Sequence, residues 1–256
     1  MKQRGYWLDV SGDFACFTRP EFKVERISYD LITPSAARAI FESVFWKPAI
    51  KWVVQEIQVL TPIRWISIRR NEVGRVASTR AGSGFCIEDD GVRQQRAGLF
   101  LRDVRYRIRA EFTFIPLGER KECRNRIPEF LLETDFEAYS DWQKMDSWDV
   151  SFGKSDETEA KYAAMFERRA KKGQFFHKSF LGTRECAADV EWVGRAGKID
   201  PKTLQPEPIQ ETRDLGWMLY DMDYTELDNI KPLFFRAKMD NGVIRVPDRN
   251  SDEVRG

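Results

Sequence analysis

Apolar residues recur at helical spacing near the start of the chain. Across residues 33–45 they lie three and four positions apart, as on one face of a helix packed against a core: Ala36, Ala37, Ile40, Phe41 and Val44. Thr33 suits the cap position and Pro34 the first turn, where its missing N–H is not needed. Pro48 cannot continue a helix. The pattern therefore predicts a helix over 33–45.

A second helix is predicted over residues 156–172. Asp156 and Glu159 have the spacing of a capping box, in which side chains satisfy backbone N–H groups of the first turn. Two lysines near the end interact favourably with the negative end of the helix dipole, and Gly173 follows them where the helix is expected to end.

Two segments have the patterns of β-strands. Residues 49–60 are rich in β-branched and aromatic residues and stop at Thr61-Pro62. Within 102–112, apolar residues occupy the even positions from 104 onward and charged residues occupy the odd ones. Such alternation is typical of a strand with one face on a core.

Turn-forming residues mark the remaining segments. Residues 71–98 hold five glycines and little periodicity, which predicts a long loop or an irregular hairpin. After a proline-rich junction, strand-like runs follow at 215–222 and 233–246, with Asn241-Gly242 as a hairpin turn. These runs predict a small β appendage.

Composition predicts a soluble globular protein. Of the 256 residues, 42% are hydrophobic and 13% aromatic, which excludes intrinsic disorder as the main state. No apolar stretch approaches the roughly 18 residues of a membrane span, and the first residues lack a signal-peptide pattern. The four cysteines form no Cys-x-x-Cys pair, which argues against a zinc ribbon and fits reduced thiols in the cytoplasm: Cys16, Cys86, Cys123 and Cys186.

Charge is segregated although the formal net charge is only +1. Residues 61–110 hold eleven arginines against five acidic residues, and 161–184 hold seven basic residues against one acidic residue. Residues 127–157 hold nine acidic residues against two lysines. Such blocks can present one basic face to a polyanion. Ordinary surface charge is an equal alternative.

A row of arginines gives the basic block a regular geometry. Arg105, Arg107 and Arg109 share the charged face of the predicted strand 102–112, about 6.7 Å apart, which is twice the rise per residue. This interval is near the spacing of phosphates in an extended nucleic acid, and guanidinium groups suit phosphate. The alternative is the solvated outer face of an antiparallel sheet.

The available side chains limit the possible mechanisms. His177 is the only histidine, so the chain alone cannot build a site that needs two imidazoles. Its ordinary pKa suits proton transfer, whereas a merely structural contact is the alternative. Glu88, Asp89 and Asp90 are candidates for a metal-dependent nuclease, but they match no recognised ligand pattern.

Four separated stretches resemble one known family, in the family's order: residues 39–50 (AIFESVFWKPAI), 60–73 (LTPIRWISIRRNEV), 160–173 (AKYAAMFERRAKKG) and 180–186 (FLGTREC). They are similar to the subtype I-C member of the fifth CRISPR-associated (Cas) protein family, in the RAMP superfamily. The resemblance implies an α+β fold. An RRM-like, ferredoxin-like domain with an antiparallel sheet would span residues 1–200, and a small β region would span 201–256.

The resemblance also implies an activity. Such proteins bind the repeat stem-loop of the CRISPR precursor transcript and cut it without a metal ion or other cofactor. They then stay on the 5′ handle of the guide RNA. The implied partners are this RNA and the backbone and large subunits of the type I-C interference complex, in the cytoplasm. The basic blocks add double-stranded DNA as a candidate partner, and no membrane partner is expected.

The family's catalytic groups are a tyrosine just before the Trp-Lys-Pro segment and a Lys-His pair on a later helix. The matching positions carry Phe45, Lys161 and Tyr162, so one group of three is retained. Lys161 suits charge or proton supply, and Tyr162 suits hydrogen-bond donation. His177 is the reserve base. The set predicts a slow endoribonuclease, with a scaffold that binds RNA without cutting it as the alternative.

The predicted RNA contacts are one aromatic residue, for stacking on a base, and four arginines, for phosphate: Trp46, Arg105, Arg107, Arg109 and Arg184. A core position is the alternative for Trp46. An ion pair with Glu185 or another local acid is the alternative for Arg184.

Overall fold

The computed structural model describes residues 5–22, 24–74, 88, 91–116, 119–120, 157–199, 201–224 and 229–256. Within these residues the chain forms nine strands, two α-helices and a short 3-10 helix, in this order: β1 (Tyr6–Ala15), α1 (Pro34–Val44), β2 (Ile50–Val59), β3 (Trp65–Val73), β4 (Arg93–Phe114), α2 (Glu159–Lys171), β5 (Asp189–Arg195), the 3-10 helix (Pro201–Leu204), β6 (Arg213–Asp223), β7 (Lys231–Asp240), β8 (Val243–Arg245) and β9 (Val254–Arg255).

Four strands and both helices form a ferredoxin-like arrangement. The strands lie in the order β5-β1-β4-β2, and each pairs antiparallel with its neighbour. Helix α1 connects β1 to β2, and α2 lies between β4 and β5 in the chain. The α+β class with an RRM-like antiparallel sheet is thereby confirmed.

Strand β4 extends beyond this sheet and carries a hairpin. Its second half pairs with β1 and β2, whereas residues 93–101 pair with β3. The change of partner lies next to Asp103, whose φ of 52° is left-handed, a conformation that aspartate tolerates better than most residues. Of the two possibilities predicted for 71–98, the hairpin is correct at both ends, because residues 71–73 and 93–98 are paired strand.

The C-terminal strands continue the same sheet. Strand β8 pairs with β2, and the order then runs β8-β7-β6, with β9 on β7. The predicted turn at Asn241-Gly242 connects β7 to β8, and both residues have positive φ. A domain boundary at residue 200 stays a prediction.

Both helices pack on one face of the central sheet around aromatic side chains. The ring of Phe166 on α2 lies 4.6 Å from Trp52 and 5.0 Å from Tyr6, centroid to centroid. Thr158 caps α2, since its hydroxyl accepts a hydrogen bond from the Lys161 N–H at 3.2 Å. The helix therefore begins three residues later than predicted, and Asp156 lies outside the described residues.

Candidate functional site

The end of α1 and the start of α2 meet in an aromatic contact. Phe45 is the C-cap of α1, and its ring centroid lies 6.0 Å from that of Tyr162 in the first turn of α2. The ring of Phe114, at the end of β4, lies 5.9 Å from Tyr162 on another side. Positions 45 and 162 are 117 residues apart along the chain, yet their rings are in contact.

Lys161 and Tyr162 face different surroundings. Neighbouring residues on a helix point about 100° apart, so the two side chains cannot share one environment. The Tyr162 side chain packs into the core with 5% of its surface exposed, whereas Lys161 is only half-buried. The N-terminal end of a helix carries a partial positive charge, which adds to the positive potential of the ammonium group.

Arg169 fixes the relation between the two helices. Its Nε donates to the carbonyl of Val44 at 2.7 Å, and its guanidinium lies 4.2 Å from the ring centre of Phe176. The N–H of Phe176 in turn donates to the carbonyl of Ser43 at 2.8 Å. Burial lowers the pKa of Arg169, with a smaller effect from Arg168. Sequence reasoning missed this residue, although it lies two helical turns from Tyr162 on the same face.

His177 lies in a neighbouring groove. Its half-buried ring is 5.6 Å from Phe180 in an edge-to-face contact. The groove, about 670 Å³ in volume, is lined by Gly173, residues 175–179 and residues 188–191. Because Phe176 packs on Arg169, about 12 Å of helix rise beyond Lys161, this segment contacts the later half of α2. The structure thus places His177 near the later half of α2, whereas Lys161 and Tyr162 lie in the first turn of this helix.

The predicted arginine row lies on the outer face of the sheet, as expected, but its three members are not equally exposed. This face is opposite the helices, and Arg107 at its centre is only 1% exposed. Its guanidinium donates to both carboxylate oxygens of Asp9, at 2.7 and 3.1 Å, and to the Leu204 carbonyl at 2.7 Å. The carbonyls of residues 203–206 cover it. The prediction of a solvent-facing Arg107 is therefore wrong, because a distant segment crosses the sheet at this point.

The outer two arginines of the row are partly exposed and paired. Arg105 reaches Asp9 at 3.3 Å, and Arg109 reaches Glu111 at 2.8 Å. Their side chains remain about one-third exposed, at 36% and 34%. A phosphate group could approach either one only in competition with its carboxylate. Their role in RNA binding stays a prediction.

Trp46 and Arg184 lie in contrasting surroundings. Trp46 is 1% exposed, which matches the alternative of a core tryptophan, since a base cannot stack on an enclosed ring. Arg184 is exposed. Its neighbour Glu185 pairs with Arg70 and, at 3.7 Å, with Arg26, both of which sequence reasoning had not singled out.

The other chemical candidates, a carboxylate metal site and the cysteines, lie partly outside the described residues. They contain no group of three side chains suited to a metal ion; Asp89 and Asp90 lie outside them. Cys16 and Cys186 are buried free thiols, and burial raises the pKa of each. Cys86 and Cys123 also lie outside the described part. No helix there is both long and apolar enough for a bilayer span.

Comparison with known proteins gives consistent matches over most of the chain. A family model described as CRISPR-associated protein (Cas_Cas5) matches residues 5–134 and 149–247. A protein of Mannheimia succiniciproducens named CRISPR pre-crRNA endoribonuclease Cas5d is 40% identical over 97% of both chains. A Thermus thermophilus protein of the same name is 32% identical over 96% of this chain and 93% of its own.

Solved structures agree with this fold. One described as a CRISPR-associated protein superposes with a TM-score of 0.57 at 23% identity, covering 99% of this chain and 98% of its own. At that identity the likeness shows the fold alone. With the family model and both relatives spanning nearly the whole sequence, the chain belongs to the Cas5d family of CRISPR-associated proteins.

Proposed function

We propose that this chain is an endoribonuclease that cuts the repeat RNA of the CRISPR precursor transcript without a metal ion. The cut would occur beside the first turn of α2, and the protein would stay on the 5′ handle of the guide RNA as a subunit of the type I-C interference complex. Membership of the Cas5d family supports the activity, since both relatives are named pre-crRNA endoribonucleases.

The reaction uses a nucleophile that the RNA supplies. Attack of the 2′-OH on the adjacent phosphate forms a 2′,3′-cyclic phosphate and releases the 5′ oxygen of the next nucleotide. The reaction needs a base for the 2′ proton, positive charge near the phosphorane and an acid for the leaving oxygen. Lys161 supplies the positive charge, Tyr162 can donate a hydrogen bond, and His177 is the reserve base.

The observation that carries this function is the contact between Phe45 and Tyr162. It brings position 45 next to position 162, whose sequence neighbour is Lys161, and the resemblance assigns all three positions to catalysis. This proximity supports a site at these positions, although two of the three side chains differ from those of the family. Positioning of the RNA can then supply much of the rate.

A cleavage assay with repeat RNA in excess EDTA tests the activity. We expect a product ending in a 2′,3′-cyclic phosphate. Lys161→Ala should lower the single-turnover rate by about 10²–10⁴, the usual effect of losing one acid–base group. Lys172→Ala, at the exposed C-cap of the same helix, is the matched control and should cut normally. Equal rates for the two variants would contradict the role of Lys161.

The second candidate function is a scaffold that caps the guide RNA without cutting it. It is favoured by Phe45, which has no hydroxyl, and by Tyr162, which has no imidazole. Repeat RNA that is bound yet intact after long incubation would support the scaffold. Activity that EDTA abolishes and magnesium restores would instead favour a metal-dependent nuclease.

A further inference from the structure

The end of α1 is held by hydrogen-bond donors from other parts of the chain. The last carbonyls of a helix lack partners inside it, and here the carbonyls of residues 43–45 each accept a hydrogen bond from outside α1. Their donors, in chain order of the acceptors, are the Phe176 N–H at 2.8 Å, the Arg169 Nε at 2.7 Å and the Trp52 Nε1 at 2.9 Å. The position of Phe45 is therefore fixed by contacts with β2, with α2 and with the segment that follows α2.

Arg169 is the donor that α2 contributes. Its guanidinium also lies 4.2 Å from the ring centre of Phe176, so one side chain binds both the end of α1 and the segment after α2. Lys161 is eight residues earlier in the same helix, which corresponds to about 12 Å of rise. A helix is stiff over this length, so a contact that fixes its later half also limits where its first turn can lie.

The hydrogen bond of Arg169 supplies a direction that aromatic packing does not. Ring contacts between the helices, such as that of Phe41 with Phe166 at 5.9 Å, are compatible with small shifts of one helix along the other. An N–H···O bond instead requires a narrow range of distance and angle. Burial and the neighbouring Arg168 lower the pKa of Arg169, so the cation is held there at an electrostatic cost that an apolar side chain would avoid.

We infer that Arg169 is a positioning residue for the proposed cleavage, because it sets where α2, and with it Lys161, lies relative to the end of α1. The inference rests on the proposed function, since Lys161 is the group through which Arg169 acts. Arg169 acts through the placement of Lys161 and not by contact with the RNA. A misplacement of about 1 Å can lower a rate by about 10²-fold, so this contact affects the rate although it lies far from the first turn of α2.

Single-turnover cleavage of repeat RNA over a range of protein concentrations tests the inference on the full chain. Arg169→Met should lower the rate at saturation by about 10- to 100-fold and leave the half-saturating protein concentration unchanged. Arg168→Met removes the same charge from the adjacent, exposed position and should retain the wild-type rate. A raised half-saturating concentration with an unchanged rate at saturation would overturn the inference, because Arg169 would then act by binding the RNA.

A double-mutant cycle separates positioning from a general effect on the fold. In the Lys161→Ala background, Arg169→Met should cause little further loss of rate, because both changes remove the same effect. Equal fold-losses with and without Lys161 would overturn the inference. Arg169→Lys keeps a cation and serves if Arg169→Met fails to fold. Its ammonium lacks the planar guanidinium that stacks on Phe176, so it should lower the rate at saturation, again only when Lys161 is present.

A measurement without cleavage separates this inference from the proposed function. If the wild-type chain leaves repeat RNA intact, the proposed function fails, and chemical labelling of amines followed by mass spectrometry decides the inference. Arg169→Met should change the labelling rate of Lys161 and leave that of the exposed Lys198 unchanged. Equal labelling rates of Lys161 in the wild type and the variant would overturn the inference.

Discussion

The pair of Arg107 and Asp9 joins the central sheet to the segment that leads into the C-terminal strands. The guanidinium of Arg107 donates hydrogen bonds to both carboxylate oxygens of Asp9 and to the carbonyls of residues 203–206. Replacing it by methionine keeps an unbranched apolar stem and removes every one of these hydrogen bonds. The Asp9 carboxylate, 6% exposed, would then keep only Arg105 as a partner at 3.3 Å.

The expected cost follows from burial. Breaking a buried ion pair by removing one partner typically lowers the free energy of unfolding by about 3–5 kcal/mol, because the other charge stays buried. The orphaned carbonyls act in the same direction. With a urea slope of about 3 kcal/mol per M, the midpoint of unfolding should fall by roughly 1–1.7 M.

Arg105→Met is the matched control, since Arg105 binds the same carboxylate from a partly exposed position. An exposed pair contributes about 0–1 kcal/mol, so this variant should unfold near the wild-type midpoint. Urea unfolding followed by circular dichroism measures both. Amide hydrogen exchange should also rise at residues 203–205 in Arg107→Met alone. Equal midpoints for the two variants would refute the reasoning.

Three further predictions concern the folded core. Gly182→Ala should lower Tm markedly, because φ at this position is +85° and an added Cβ would lie 2.1 Å from the Cys16 carbonyl oxygen. Gly173 also has a positive φ, but an added Cβ there would meet open space, so Gly173→Ala should lower Tm less. Phe166→Ala should lower the free energy of unfolding in urea by about 3–5 kcal/mol. A decrease below about 1 kcal/mol would contradict the central place of this ring in the core. Burial raises the pKa of Tyr106 above its ordinary value near 10. Its contribution to the free energy of unfolding is therefore complete below pH 10 and is lost as pH rises further. The free energy of unfolding of Tyr106→Phe should fall less steeply at alkaline pH, and equal slopes for the variant and the wild type would contradict this reasoning.

Local patterns predicted the elements whose determinants lie close together in sequence. The first helix was expected over 33–45 and spans Pro34–Val44, with the Thr33 hydroxyl accepting from the Ala36 N–H at 3.3 Å. The strand expected over 49–60 spans Ile50–Val59. In both cases a cap, a proline or a run of β-branched residues fixes the ends.

The misplaced features depend on distant residues. Alternation assigned Arg107 to the correct face, but it could not show that residues 203–206, almost 100 positions later, cross that face. The β4 arm over 93–98 has no periodicity of its own and is ordered by pairing with β3. Trp46 follows a helix end where aromatic residues suit either a core or a ligand, and only the packing decides between them.

The half-buried Lys161 and the buried Tyr162 limit what the proposed site could do. The ring of Tyr162 contacts those of Phe45 and Phe114 and is 5% exposed. In the reaction proposed above, its hydroxyl would donate a hydrogen bond. The proposed 2′-OH attack would then depend on the ammonium group of Lys161 and on the geometry that the bound RNA adopts. Lys161 is accordingly the position at which an endoribonuclease and a passive scaffold built on this fold would differ most.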